Sequence, residues 1–117
     1  FKGAQALSKL GPKWLIVKKC EHGSFLVGDL GIFLSHTYPV SDVTDPTGAG
    51  DAYAGGILGY LSKCRTITET EIRRAMGWAS VIGSFYVEDF GPDGLRTKKF
   101  PDLQRRFREF RRLFEIP

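Results

Sequence analysis

The sequence predicts a single α/β domain. Three observations carry that prediction: a β-branched strand run, a glycine-flanked hairpin behind it, and three helical stripes after them. At 117 residues the chain is long enough for one hydrophobic core and too short for two.

The strand is "KWLIVKK" (13–19), bounded by Gly11-Pro12 and Gly23 and read as buried. "SFLVGDLGIFLSHTYPV" then sets two apolar segments around Gly28-Asp29-Leu30-Gly31, a hairpin. Its second segment ends by Pro39, which has no N–H for a ladder. Residues 51–63 read as the first helix. Tyr53, Ile57, Tyr60 and Cys64 form its apolar stripe, and Ala52, Gly55, Gly56 and Gly59 a small-residue face. Glycine costs a helix interior about 1 kcal/mol relative to alanine, so three of them imply close approach to a sheet or ligand. "TETE" opens the next helix, 69–86, with Thr68 as cap and Glu71 reaching back, a capping box. Its stripe is Ile72, Met76, Ala79, Ile82 and Tyr86. "EDFGPDG" (88–94) reads as a loop. A last helix starts near Pro101-Asp102 and buries Leu103, Phe107, Phe110 and Phe114 among five arginines. A three-strand sheet is thin, and its edges stand exposed unless something else pairs with them.

The composition excludes several classes. No apolar run is long enough for a membrane-spanning helix, and no basic-then-apolar leader opens the chain. The two cysteines, Cys20 and Cys64, make neither a metal cluster nor a disulfide framework and read as reduced thiols of a cytoplasmic protein. The net charge of +4 is uneven: residues 1–95 carry −1 and residues 96–117 carry +5. The basic tail is read as the solvated outer face of the last helix rather than a nucleic-acid surface, because its phenylalanines follow a core stripe.

The chemistry concentrates in "DPTGAGDAYAGG", Asp45 to Gly56. Gly48 and Gly50 permit backbone conformations closed to other residues, and Ala49 adds no bulk. The amides of Gly48, Ala49, Gly50 and Asp51 are expected to converge on one point before the helix, an anion site favoured by unpaired donors and the helix dipole. Asp51 at the rim would repel a resting phosphate, but it is well placed to take a proton from a hydroxyl attacking a phosphorus held there. The bland alternative is a glycine-rich cap with Asp51 stabilising the helix start. A Walker P-loop requires a lysine that is absent, and the dinucleotide fingerprint requires a glycine where Tyr53 stands.

All twelve positions of this stretch meet D-[TP]-T-G-A-G-D-x-[FY]-x-G-G, and the chain thereby resembles the ribokinase-like (PfkB) carbohydrate kinases. The resemblance implies a ribokinase-like, Rossmann-type three-layer fold, of which this is the C-terminal part, with a hairpin and three helices. It implies Asp51 as catalytic base and Gly48, Ala49 and Gly50 as anion hole. "LIVKKCEHGSFLV" resembles the family's strand and turn near the ATP phosphates: Lys18 and Gly23 fit, and Cys20 stands where glycine is usual. Lys18 otherwise reads as a solvated strand end. Thr47, Gly48 and Gly50 complete the expected nucleotide contacts, and Ala79 and Gly83 either flank adenine or belong to the core. A monovalent cation, K+ for example, is implied at Asp45, the Thr47 carbonyl, Asp89 and Gly91, although Asp45 also suits a turn cap.

The function so implied is transfer of the ATP γ-phosphoryl, with Mg2+, to a hydroxyl of a sugar or related small molecule. The family's N-x-x-E motif for magnesium is missing, for the chain contains no asparagine. That absence and the start at Phe1 read as the C-terminal part of a kinase about two to three times longer. Its partners would be the missing N-terminal part and a second copy in a homodimer, and the isolated piece would be inactive. A non-catalytic nucleotide-binding fragment and a nucleoside kinase are the alternatives.

Overall fold

The structure, a computed structural model, describes residues 2–115. Helix α1 (Lys2–Ser8) leads into β1 (Leu15–Lys18), β2 (Ser24–Gly28) and β3 (Gly31–Ser35). Four helices follow: α2 (Ala49–Leu61), α3 (Glu69–Tyr86), the single turn α4 (Asp93–Arg96) and α5 (Phe100–Leu113). The α/β class holds, with two more helices than the stripes disclosed. At 7 and 4 residues, α1 and α4 are too short for a repeating apolar face, and α4 begins inside the expected 88–94 loop.

The strands form an antiparallel meander in the order β1-β2-β3, and Asp29-Leu30 makes the turn between Gly28 and Gly31. Ile16, Leu26 and Phe33 pair across the three strands on one face, and the core of Ile57, Ile72, Ala75, Met76 and Ala79 lies against that row. Leu26 and Met76 are wholly buried, each side chain contributing about 1.5–3 kcal/mol of transfer free energy. Alternation turns Phe25, Ile32 and Leu34 to the other face. Helix α1 packs on β1 and β2, while Ile32 and Leu34 stay 45% and 59% exposed.

Helices α2 and α3 make the closest helix pair. A Cβ on Gly56 would stand 3.0 Å from the Ala79 Cα, whereas Gly55 and Gly59 have nothing within 4 Å. One of the three glycines therefore answers to close packing, and its neighbour is a helix, not the sheet. The opposite side of α3 joins α5 through Val81, Phe85 and Phe110, and Trp78 stacks on Phe107 at 4.1 Å. Phe114 departs from the expected stripe: it is 43% exposed and stacks on His36, because α5 has ended at Leu113.

The capping box at α3 is half formed. Thr68 Oγ1 accepts the Glu71 N–H at 3.3 Å, but the Glu71 carboxylate accepts from the Tyr60 hydroxyl at 2.7 Å and from Arg74. That side chain ties α2 to α3 instead. Glu69, buried at the first turn, accepts the Leu30 N–H at 3.0 Å and the Arg73 guanidinium at 2.7 Å, clamping the hairpin turn to α3. The Leu30 amide, then Arg73, hold the Glu69 carboxyl below its ordinary value.

Between β1 and β2 a 3₁₀ turn, Cys20–His22, reverses the chain. Cys20 has φ +50°, the single non-glycine residue with positive φ among those described. A cysteine in this conformation has a local cost of about 1–2 kcal/mol.

Four outcomes follow from these contacts. Gly59→Ala should raise the urea midpoint, with a gain approaching about 1 kcal/mol, and Gly56→Ala should lower it through the Ala79 clash. Cys20→Gly should stabilise by about 0.5–1 kcal/mol, the released strain exceeding the added chain entropy. The Glu69 contribution is present above the unfolded carboxyl value and lost as pH falls through its lower folded value. Chemical denaturation across the acid range should therefore show a shallower loss of stability in Glu69→Gln than in the unmodified chain.

Candidate functional site

The glycine turn is fixed by its own sequence. Asp45 Oδ1 accepts the Thr47 N–H at 2.9 Å, and that bond holds the Asp45 carboxyl below its ordinary value. Gly48 caps α2 in the left-handed region at φ +85°. A Cβ there would sit 2.5 Å from the Tyr86 hydroxyl, the far end of a side chain that can shift, so it is the left-handed backbone that calls for glycine. Gly50 lies inside α2 without positive φ, so its backbone geometry does not call for glycine.

The four amides expected to converge divide two and two. Ala49 N–H donates to the Pro46 carbonyl at 3.1 Å and Asp51 N–H to the Gly48 carbonyl at 3.0 Å. Gly48 and Gly50 N–H take no hydrogen-bond partner among the described residues. Two open donors therefore remain at the positive end of a 13-residue helix. Lys18 Nζ, at the end of β1, donates to the Gly50 carbonyl at 3.0 Å and brings a cation to the same corner.

A groove of about 780 Å³ opens beside this corner. Of the residues expected at the nucleotide contacts and the anion hole with its base, Lys18, Cys20, Gly23, Ala49, Gly50 and Gly83 line it. Thr47, Gly48 and Asp51 do not, and Asp51 is exposed at the start of α2. Ala79 is corrected to core: it is wholly buried and packs on Gly56. Sequence reasoning missed Ser24, Tyr53, Ser80 and Ser84, which also face the groove. Tyr53 had been counted within an apolar stripe. Its hydroxyl lies 2.6 Å from Ser24 Oγ, and burial pushes its pKa up. Ser80 and Ser84, four apart on a helix of apolar stripes, were the available signal.

The segments named for a cation do meet. Thr44 and Asp45 N–H both donate to the Val87 carbonyl, at 2.8 and 3.3 Å, and Thr44 Oγ1 donates to the Glu88 carbonyl at 3.0 Å. Asp89 Oδ1 accepts its neighbour Phe90 N–H at 2.8 Å, shortly before Gly91. Each of the two carboxylates thus has one oxygen engaged by nearby backbone. No cluster of three or more His, Cys, Asp or Glu suited to a metal occurs among the described residues.

Known proteins resemble this chain in sequence and fold. The sequence model for pfkB family carbohydrate kinases matches residues 2–98, stopping before α5. An aminoimidazole riboside kinase of Salmonella typhimurium is 32% identical over 101 residues, which cover 86% of this chain and 31% of that protein. The solved aminoimidazole riboside kinase from Salmonella enterica, complexed with aminoimidazole riboside and an ATP analog, superposes with TM-score 0.76 at 28% identity. That match covers 90% of this chain and 35% of the other. A fructokinase variant from Vibrio cholerae O395, bound to fructose, ADP and a potassium ion, has the same fold, with TM-score 0.80 at 24% identity and coverage of 91% and 34%. The chain spans about a third of the length of these relatives. With the glycine turn, the groove and a family match over residues 2–98 in agreement, the chain belongs to the pfkB family of carbohydrate kinases.

Proposed function

We propose that the chain is the C-terminal, nucleotide-binding part of a cytoplasmic ATP-dependent kinase acting on a hydroxyl of a sugar or sugar-like small molecule. The observation that carries this reading is that Lys18 and Gly50, which bring an ammonium and an open amide, line one groove, with the open Gly48 amide next along the turn from the lining residue Ala49. The groove is roomy enough for a nucleoside, and the corner has the donors and charge for its phosphates. Relatives that bind ATP analogs or ADP support the same ligand.

In this reading Asp51 removes the proton from the acceptor hydroxyl. The hydroxyl oxygen bonds to the γ-phosphorus, the bond to the β–γ bridging oxygen breaks, and ADP departs. The Gly48 and Gly50 amides stabilise the charge on the transferring group, with Ala49 and Asp51 N–H shaping the turn rather than donating to it. In this reading the phosphates and residues of another part of the protein would hold the Mg2+. The Asp45–Thr47 turn and the Asp89–Gly91 segment, held together by Val87 and Glu88, are the proposed surroundings of a monovalent cation. The exposed Ile32 and Leu34 are where a longer protein would cover the sheet, and a chain spanning a third of its relatives fits that role.

A second reading, nucleotide binding without turnover, is favoured by Cys20, which lines the groove. In the complete kinase, Asp51→Asn should lower kcat by roughly 10²–10⁴-fold, with KM for ATP little changed because Asp51 does not line the groove. Steady-state kinetics checks this: turnover near normal would remove Asp51 from the chemistry. ADP binding without any turnover in the complete, unmodified kinase would favour the second reading.

A further inference from the structure

Four of the five arginines in α5 are exposed, and Arg106 is not: 17% of its side chain meets solvent. Its guanidinium stands 3.5 Å from the Phe85 ring centre and 4.9 Å from that of Tyr38. One arm donates to Ser84 Oγ at 3.0 Å, and the other pairs with Glu88 Oε1 at 2.8 Å. This single planar fork therefore grips the end of α3, the segment after it, and the loop that follows β3.

Those partners are not passive. Tyr38 and Ser84 line the groove. Glu88 and its neighbour Val87 supply the carbonyls that receive Thr44 Oγ1 and the Thr44 and Asp45 amides, the entry to the glycine turn. We infer that Arg106 is a positioning residue: it clamps the groove wall and, through Glu88 and Val87, sets the register of Thr44–Asp45 and hence of the Gly48 and Gly50 amides. The ligand half of this inference rests on the nucleotide reading above. The arginine is required for its shape, since a lysine ammonium can hold Glu88 but cannot also lie flat on Phe85 while donating to Ser84. Removing the cation leaves the partly buried Glu88 without its counter-charge.

The test combines amide hydrogen exchange with ADP titration of the 117-residue protein and its Arg106→Met, Arg106→Lys and Arg108→Met variants. In Arg106→Met, exchange at Thr44 and Asp45 should quicken and ADP should bind about tenfold more weakly, the scale of coupling through a packed network. Ala75, Met76 and Ala79 should keep their protection, Arg106→Lys should fall between, and Arg108→Met should match the unmodified chain. Unchanged exchange at Thr44 and Asp45, unchanged ADP affinity, or loss of protection spreading to Ala75–Ala79 would each overturn the inference. If the unmodified protein binds no ADP, the nucleotide reading fails together with the ligand half, and the exchange comparison still decides whether Arg106 holds that segment.

Discussion

Helix α2 lies on α3 at Gly56, so close that a single methyl group there would press on the Ala79 backbone. The site depends on that contact. The start of α2 carries the glycine turn, while α3 supplies Ser80, Gly83 and Ser84 to the groove. The spacing of the two helices therefore sets the width between the glycine-turn corner and the opposite wall. The Leu26 row of the sheet fills the space beneath both helices, and Glu71, shared between Tyr60 and Arg74, fastens their far ends.

On this frame the corner is assembled from three separate stretches of chain. Lys18 arrives from β1, Gly48–Gly50 from the turn, and the Val87–Glu88 carbonyls hold the turn's entry. The bonds are ordinary in length, and each net contribution is about 0.5–1.5 kcal/mol. Their value for a phosphate site is directional. They spend the Ala49 and Asp51 amides on the turn itself and leave the Gly48 and Gly50 amides open, the preorganisation that the proposed phosphoryl transfer would call for.

Much of the fold was legible because its signals are local. The hairpin about Asp29-Leu30 and the α3 stripe of Ile72, Met76 and Ala79 follow from strand and helix periods. The Asp45–Gly56 stretch was legible for the same reason, as a left-handed residue before a helix leaves glycine as the fitting choice. Other features hid because they depend on partners far along the chain. Glu71 looked like a cap until Tyr60 claimed its carboxylate. Arg106 looked like four other arginines until Phe85, Ser84 and Glu88 closed around it. Ala79 showed a buried face without showing that Gly56 is what covers it.

By itself the sequence determined the family, the place of the glycine turn and the order of the three strands and three long helices, since backbone conformation and hydrophobic period act over a few neighbouring residues. The tertiary structure alone decided which amides stay open, which side chains meet at the groove, and that Cys20 holds a left-handed backbone. A hydrogen bond has direction and needs a partner brought to about 3 Å. For Lys18 and Gly50, 32 residues apart, only the packing of the folded chain supplies that encounter.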